Sequence, residues 1–232
     1  MEQKVFAKKW LLAKAKDRIP ERDFGITGDL EPPAYDEMLR FVRDGGWMPT
    51  KHILKDIQHG SVLEVGPGPG YLGLEWLKAT SGTCLVGYDI SEDMLAIAGR
   101  NATEYSLASR VRYTRGDVRK MPFADSTFDA VFSNDSLHEW AYPEAALSEI
   151  WRVLKPGGRL HVSDLRRDMG IPLKVLIWVL CKPKSMRSGW ITSIDASYTQ
   201  REMRRMIGSS HIEDGVVDQD AMRFYVRARK RT

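Results

Sequence analysis

The sequence predicts an α/β protein with a doubly wound, mostly parallel sheet. From Thr50 onward, short apolar runs of strand length alternate with amphipathic stretches of helix length, the pattern of parallel strands joined by crossover helices. Three of the early runs end in acidic residues, and the first opens into alternating glycines. A chain of 232 residues is long enough for one such domain. We therefore expect a single domain with helices on both faces of the sheet.

Residues 1–49 are interpreted as an N-terminal helical extension, and residues 50–232 as the main domain. Apolar residues alternate with lysines over residues 5–16, which predicts a surface helix. Glycines and prolines interrupt the pattern over residues 20–33, before a second helix expected over residues 34–43. We expect the extension to cap a ligand site on the main domain.

The first strand of the main domain is predicted at residues 62–65, and a glycine-rich loop follows it. Gly66, Gly68 and Gly70 have no Cβ, so the chain can turn sharply and a ligand's polar groups can approach the backbone. The pattern favours a nucleoside site. The alternative is a turn from strand to helix without a ligand. The next helix is expected near residues 71–79.

The second and third strands each end in a carboxylate. Asp89 closes the second strand, where a carboxylate can accept hydrogen bonds from both hydroxyls of a ribose. An isolated acid in this place is more often a helix cap, but Ser91 can fill that role for the helix expected near residues 92–106. Asp117 closes the third strand and repeats the design.

The fourth and fifth strands are expected near residues 126–133 and 160–164, with a helix over residues 143–153 between them. The motif Leu-Lys-Pro-Gly-Gly at residues 154–158 follows that helix. A later helix is predicted over residues 199–207, because Thr-Gln-Arg-Glu at residues 199–202 has the form of a capped start.

This order of motifs resembles the class I S-adenosylmethionine-dependent methyltransferases, most closely the small-molecule branch that includes the quinone-biosynthesis C-methyltransferases. The resemblance covers residues 50–165 well and rests on the glycine loop, Asp89, Asp117, the Phe128-Asp129 strand and the Leu-Lys-Pro-Gly-Gly motif together. It implies a Rossmann-like, seven-stranded sheet whose one antiparallel strand belongs to a terminal hairpin. That hairpin is expected from alternating runs near residues 212–217 and 222–229.

The resemblance implies S-adenosyl-L-methionine as the cofactor and S-adenosyl-L-homocysteine as its product. Backbone groups near the glycines would hold the methionine portion, Asp89 the ribose, and Asp117 with the Val118 amide the adenine. Ile90 and Met121 would sandwich the purine. The implied cofactor-binding residues are Glu64, Gly66, Gly68, Gly70, Asp89, Ile90, Asp117, Val118, Met121 and Ser133.

The acceptor side is expected after the fourth strand, where the chain reads Ser-Asn-Asp-Ser-Leu-His-Glu-Trp over residues 133–140. His138 is a candidate general base, because an imidazole with an ordinary pKa near 6.5 suits proton removal at neutral pH. A packing role for His138 is the alternative. Tyr35 is the second catalytic candidate. Weaker candidates for the same cavity are Trp47, His52 and Asp164.

The segment over residues 171–190 is predicted as an inserted apolar helix. Residues 171–181 are apolar nearly all round except for Lys174, so something must cover them. A lid over the acceptor site, a core helix and a homodimer interface all remain open. The apolar stretch is about half the roughly 20 residues that a membrane-spanning helix needs.

Composition places the chain among cytoplasmic enzymes. Its net charge of +4 is only mildly basic, and much of the excess lies near the two ends. Cys84, on a strand expected to be buried, and Cys181 form neither a disulfide framework nor a thiolate metal set. The five histidines show no short ligand spacing, so no metal site is predicted. The N-terminus has no secretory pattern.

Three functions are compatible with these patterns. The leading one is methyl transfer to a small, partly apolar molecule, favoured by the apolar insert. The second is an RNA- or protein-modifying methyltransferase, favoured by the basic residues of the C-terminal end; a nucleic-acid partner is thus an alternative. The third is a dinucleotide-binding module, which is disfavoured because Tyr71 stands where that fingerprint has Gly or Ala.

Overall fold

A computed structural model describes residues 17–21, 25–28 and 31–232, so the helix expected over residues 5–16 lies outside the described residues. The helices are α1 (Glu31–Asp44), α2 (Thr50–Asp56), α3 (Tyr71–Lys78), α4 (Glu92–Glu104), α5 (Pro143–Val153), α6 (Ile171–Leu180), α7 (Arg187–Ala196) and α8 (Gln200–Gly208). The strands are β1 (Ser61–Val65), β2 (Cys84–Asp89), β3 (Val111–Arg115), β4 (Phe128–Asn134), β5 (Leu154–Leu165), β6 (Val216–Gln219) and β7 (Arg223–Arg229). Within these described ranges, no helix has the length and apolar character needed to cross a membrane.

The seven strands form one sheet in the order β3-β2-β1-β4-β5-β7-β6. The first five strands pair in parallel, while β7 lies antiparallel between β5 and β6. The chain reverses its direction of winding beside β1, so the carboxyl ends of β1 and β4 flank a crevice. The predicted seven-stranded, mostly parallel sheet with one antiparallel strand is confirmed.

Helices cover both faces of the sheet. The side chains of β1 alternate between the two faces, and each set needs its own apolar core. Leu63 and Val65 belong to a core that also contains residues of α5 and α8. Val62 belongs to the opposite core, together with Ile53 of α2 and Trp76 of α3. Burial on both faces explains why this strand is nearly continuous in apolar residues.

Local capping signals set several helix starts where they were expected. The Ser91 hydroxyl accepts from the Met94 amide at 3.2 Å and begins α4. Thr199 and Glu202 form a reciprocal capping box at the start of α8. The predicted helices at residues 71–79, 92–106, 143–153 and 199–207 match α3, α4, α5 and α8 within two residues.

Three local expectations differ from the structure. Strand β5 begins at Leu154, six residues before its predicted start, because Leu154 pairs with Phe128 across a register shift. Strand β6 begins at Val216, after a turn in which the Ser210 hydroxyl accepts from the Ile212 amide. Cys84, expected to be buried, is exposed at the first position of β2.

The apolar insert consists of two helices, α6 and α7, rather than one. A short turn of 3-10 helix, Lys184–Met186, connects them. Leu173, Ile177 and Trp178 of α6 pack against a small core formed by Leu165, Met169, Trp190, Ile191 and Ile194. One side of α6 is therefore covered by α7 and by the end of β5.

Candidate functional site

The carboxyl ends of β1, β2 and β4 and the loops that follow β3 and β4 surround a cavity. Its empty space, including the open mouth, is about 670 Å³. The residues that line it are Gly25, Ile26, Tyr35, Val65, Gly66, Gly68, Tyr88, Asp89, Ile90, Met94, Gly116, Asp117, Val118, Asp135, Ser136, Glu139 and Trp140. The structure thus brings Gly66, Gly68, Asp89, Ile90, Asp117, Val118 and Tyr35, all predicted from sequence, into one cavity.

The glycine loop needs its glycines for both conformation and space. Gly66 has a φ of +69°, and a Cβ there would lie 2.1 Å from the Ser136 hydroxyl oxygen. Gly68 has a φ of +52°, and its Cβ position is 3.4 Å from the Tyr35 ring. Residues that carry a Cβ rarely adopt these backbone angles. Gly70 lies at the N-cap of α3, so it shapes the loop while the first two glycines line the cavity.

Asp89 links the glycine loop to the start of α4. One carboxylate oxygen accepts from the Gly68 amide at 3.1 Å, and the other accepts from the Ser91 amide at 2.9 Å. Burial raises the pKa of Asp89, and these amide hydrogen bonds oppose the rise. Each oxygen retains acceptor capacity for a ligand hydroxyl.

Asp117 lies at the cavity with its carboxylate held by Arg119. The Arg119 guanidinium donates to both carboxylate oxygens, through Nε at 2.9 and 2.8 Å and through NH2 at 2.6 Å. Hydrogen bonding from Arg119 lowers the pKa of Asp117, so this acid is ionised at neutral pH. Val118 and Ile90 add apolar surface to the lining. Met121 is buried, with its amide donating to Glu149 at 2.7 Å.

Glu64 and Ser133 are buried supports rather than lining residues. The Ser133 hydroxyl donates to the Val65 carbonyl at 2.7 Å and ties β4 to β1. A Cβ at Gly73 of α3 would lie 2.1 Å from Glu64 Oε2, so the carboxyl group fills the space beside that glycine. Burial raises the pKa of Glu64 to about 8, against a hydrogen bond from the Gly73 backbone.

The acceptor candidate His138 is paired with Asp164 from the end of β5. The His138 Nδ1 lies 2.9 and 3.0 Å from the two Asp164 carboxylate oxygens, and the His138 amide donates to Asp164 at 2.8 Å. Burial disfavours protonation of the ring, but the Asp164 charge and hydrogen bond outweigh it and raise the pKa of His138 to about 10. His138 is therefore an imidazolium at neutral pH in the free protein.

Two further acids surround this imidazolium. The His138 Nε2 lies 3.7 Å from Glu21 Oε2, and one ligand-type atom each of Glu21, His138 and Glu139 lie within 4.8 Å of one another. Burial raises the pKa of Glu139 to about 7, although the charge on His138 opposes the rise. Burial, and then the charge of Glu139, also raise the pKa of Tyr35, so its hydroxyl is neutral. Tyr35 and Glu139 line the cavity, whereas His138 is buried behind its wall, so this side of the cavity carries groups that can exchange protons.

Described parts of the N-terminal extension close one side of the cavity. Gly25 and Ile26 line it, and the Ser91 hydroxyl donates to the Ile26 carbonyl at 2.5 Å. Arg18 donates to the His138 carbonyl at 2.9 Å and to the Ala196 carbonyl at 2.6 Å. The extension is thus attached both at the start of α4, through Ser91, and beside His138.

Sequence reasoning missed several lining residues, and two of its weaker candidates lie away from the cavity. Glu139 and Trp140 follow His138 directly, so proximity to a candidate was the available signal. Asp135 has a φ of +53°, a conformation that no sequence pattern indicated. Trp47 is 57% exposed beside Phe41, and His52 stacks on Tyr225 at 4.9 Å. Neither of these last two lines the cavity.

Comparisons with known proteins agree with this geometry. A family described as "Methyltransferase domain" matches residues 63–162. The demethylmenaquinone methyltransferase of Bacteroides fragilis is 28% identical over 71% of this chain and 69% of its own length. That of Thermus thermophilus is 41% identical over 57% of this chain and 61% of its own length. The ubiquinone/menaquinone biosynthesis C-methyltransferase UbiE of Roseobacter denitrificans is 34% identical over 44% of this chain, which spans 41% of that relative.

Solved structures share the fold. A putative S-adenosyl-L-methionine-dependent methyltransferase from Methanococcus maripaludis superposes with a TM-score of 0.72 at 20% identity, over 90% of this chain and 98% of that one. A SAM-dependent methyltransferase from Aquifex aeolicus gives a TM-score of 0.67 at 22% identity, over 87% and 99%. Because the sequence identities are low, these two structural similarities support the fold alone.

The cavity fits S-adenosylmethionine, which is the cofactor of this fold family. The donor set combines a glycine loop open to close approach, two strand-end carboxylates and apolar surface for a purine, with acids that complement a sulfonium charge. Motifs, topology and comparisons therefore agree. The chain contains a methyltransferase domain and is an S-adenosylmethionine-dependent methyltransferase, similar to the quinone-biosynthesis C-methyltransferases.

Proposed function

We propose that the protein transfers a methyl group to a ring carbon of a small, partly apolar molecule of the reduced quinone type. The observation that carries this proposal is the proton-exchanging group at the acceptor end, His138 with Asp164 and Glu139. A hydroxylated ring carbon becomes a strong nucleophile when its hydroxyl loses a proton. The names of the quinone-methylating relatives support the same substrate class.

S-adenosylmethionine supplies an activated methyl group when bound. Glu139, whose pKa is raised to about 7, would take the hydroxyl proton of the acceptor in its ionised form. The ring carbon would then bond to the methyl carbon as the bond from that carbon to sulfur breaks. The methylated ring carbon would last lose its hydrogen as a proton to solvent, which restores the aromatic ring, while the acceptor oxygen regains a proton from Glu139.

His138 and Tyr35 would assist without acting as the first base. His138 carries its proton at neutral pH, held by Asp164, so it would stabilise the negative charge that develops on the acceptor oxygen. Tyr35 lines the cavity with a neutral hydroxyl and would donate or accept one hydrogen bond. A general-base role for His138 would require its neutral form, which forms only at high pH in the free protein.

The other predicted site residues would bind the donor as the family pattern implies. Asp89 would hold the ribose, Asp117 the adenine amino group after adjustment of Arg119, and the Gly66–Gly68 backbone the methionine portion. Four predicted residues would support the site without lining it, by holding the glycine loop and the strand ends in place: Glu64, Gly70, Met121 and Ser133. Residues 1–49 would serve as the cap, a role supported by the contacts of Arg18, Gly25 and Ile26.

The RNA- or protein-modifying alternative has less support from the C-terminal basic residues than the sequence suggested. Arg227 pairs with Asp218, and Arg231 pairs with Asp214. The Lys230 ammonium donates to the Trp151 and Leu154 carbonyls. These cations are committed to contacts within the chain.

A cytoplasmic location is proposed with the enzymatic function, in keeping with the free cysteines Cys84 and Cys181.

The test is a methylation assay with labelled S-adenosylmethionine and purified protein. One arm contains a reduced demethylmenaquinone with a short side chain, and the other contains transfer RNA and a protein mixture. We expect label only in the quinol, with the new methyl on a ring carbon by NMR, and equal rates with and without EDTA. Label in RNA or protein with none in the quinol would overturn the substrate class, and label on oxygen would overturn the carbon acceptor.

A further inference from the structure

Helix α6 exposes six apolar residues to solvent, while its one charged residue is buried. Two ridges with a spacing of four residues form its outer face, Ile171-Val175-Val179 and Pro172-Leu176-Leu180. Leu176 is 52% exposed and Val179 is 55% exposed. A usual surface helix buries an apolar stripe and exposes polar residues, whereas α6 is apolar on its exposed side as well. We call these six residues the α6 face.

The inward orientation of Lys174 fixes this arrangement. Its side chain is buried, and the ammonium donates to the Arg167 carbonyl at 3.0 Å. Leu173, Ile177 and Trp178 hold the same side of the helix against the small core beneath α7. The α6 face therefore points outward as a consequence of packing on the other side of the helix.

Positive charge accompanies the apolar face. From Met169 to Ile194 the chain contains four cations, Lys174, Lys182, Lys184 and Arg187, and no acidic residue. Lys182 and Lys184 are exposed immediately beyond the end of α6. The guanidinium of Arg187 lies 4.2 Å above the Trp178 ring. Apolar surface with an uninterrupted positive border is complementary to a negatively charged, partly apolar partner.

An exposed tryptophan lies beside the same border. The Lys182 ammonium is 5.3 Å from the centroid of the Phe41 ring, and that ring contacts the Trp47 ring at 5.4 Å. Trp47 is 57% exposed. Tryptophan is enriched where proteins meet the boundary between lipid headgroups and acyl chains. Three features of such a boundary, apolar, cationic and aromatic, thus occur on one side of the molecule.

We propose that the α6 face, with Lys182, Lys184 and Trp47 at its border, docks on the surface of an anionic lipid bilayer. Helix α6 is about 15 Å long, half of the hydrocarbon thickness, so it would lie in the interface with its apolar ridges in the acyl boundary. The lysines would contact the headgroups. This inference concerns binding alone and is independent of the methyl acceptor.

A second copy of the chain fits this face less well. In a two-fold dimer the same patch meets itself, so the two sets of Lys182, Lys184 and Arg187 would be brought together. The segment offers no acid to compensate them. Charge complementarity therefore favours lipid over a self-interface.

The experiment is flotation of the full chain with vesicles, first of equal amounts of phosphatidylglycerol and phosphatidylcholine and then of phosphatidylcholine alone. We expect binding to the anionic vesicles that weakens with salt. Leu176→Glu should lower the partition constant of the protein between water and vesicles by on the order of tenfold. Lys182→Ala and Lys184→Ala should each reduce it about fivefold on anionic vesicles.

Val216→Glu is the matched control, because Val216 on edge strand β6 is 52% exposed and receives the same chemical change. It should bind vesicles as the unmodified protein does. Each variant is checked by its melting temperature and by binding of S-adenosylhomocysteine; if Leu176→Glu fails these checks, Val179→Glu replaces it. Failure of the unmodified protein to float, or equal loss in the Leu176 and Val216 variants, overturns the proposal. A lipid-free dimer that Leu176→Glu converts to monomer would assign the face to a second copy instead.

Discussion

Asp89 combines a predicted contact to the donor with an observed contact to the glycine loop. Replacement by Ala would remove both acceptors for the ribose hydroxyls and the acceptor of the Gly68 amide together. We expect Asp89→Ala to weaken binding of S-adenosylhomocysteine by about 1.5–3 kcal/mol, or tenfold to a hundredfold, as measured by titration calorimetry.

The control is Asp214→Ala, because Asp214 is an exposed acid that pairs with Arg231 near the C-terminus. Its donor affinity should equal that of the unmodified protein. Undiminished affinity in Asp89→Ala would place the ribose elsewhere in the cavity.

Gly66 can be tested by the smallest available change. An added methyl group would lie 2.1 Å from the Ser136 hydroxyl oxygen at a φ of +69°, so Gly66→Ala must strain the loop and displace its neighbour. We expect a loss of about 1–3 kcal/mol in the free energy of unfolding by urea titration, with weaker donor binding.

Gly99→Ala is the opposite case within the same fold. Gly99 lies inside α4, and no heavy atom lies within 4 Å of its Cβ position. We expect this variant to gain roughly 0.5–1 kcal/mol, since alanine favours the helix. Equal stabilities of the two variants would mean that the loop is more adaptable than its geometry indicates.

Glu139 predicts a pH dependence of turnover. Its pKa is raised to about 7, and the ionised carboxylate is the form that accepts a proton. The value of kcat/KM for the acceptor should therefore rise with pH through about 7. Glu139→Gln should lower kcat by about 10²–10⁴-fold and abolish this rise, with little change in donor affinity. A pH profile unchanged in Glu139→Gln would assign the proton transfer to another group.

At the scale of elements, α6 and α7 form a packed pair rather than a free flap. Trp178 contacts the small core and lies under Arg187. We expect slow hydrogen exchange across α6 without ligands, and destabilisation by roughly 1–3 kcal/mol in Trp178→Ala, because a large, partly buried ring is lost. Fast exchange in the free protein that becomes slow with donor product and acceptor would identify a lid.

Elements with local signals were predictable from the sequence. The Thr199 and Glu202 capping box depends on residues three apart, and the strand ends at Asp89 and Asp117 carry their own turn chemistry. The start of β5 was not predictable, because Leu154 joins the sheet through Phe128, which is distant in the chain. Proline and glycine weaken a strand, and the pairing of Leu154 with Phe128 outweighs that local preference.

The site residues also fall into two groups, those that the sequence predicted and those that depend on contacts between distant parts of the chain. Gly66, Gly68 and Asp89 occupy strand ends that a parallel sheet must bring together, so their convergence followed from topology. Ile26 reaches the cavity only because the Ser91 hydroxyl donates to its carbonyl across 65 positions. The raised pKa of His138 depends on Asp164, which lies 26 positions away, so an ordinary pKa was the natural expectation from sequence.

For the whole molecule, donor binding should appear as a gain in stability. A ligand that binds only the folded chain contributes about 2.7 kcal/mol at a concentration one hundred times its Kd. S-adenosylmethionine and S-adenosylhomocysteine should each raise Tm by several degrees in scanning calorimetry, while NAD should leave it unchanged. Stabilisation by NAD alone would contradict the assignment of the cavity.

The contact of Arg18 with the Ala196 carbonyl has a consequence for synthesis on the ribosome. Its partners are separated by 178 positions, so the residues that attach the extension to α7 do not exist together until most of the chain has been made. At 5–20 residues per second, roughly 10–35 s pass between translation of the two. The glycine loop and Asp89 emerge well before that moment. The extension can therefore contact Ser91 and His138 before its contact with Ala196 becomes possible, and the attachment to α7 is the last of the three to form.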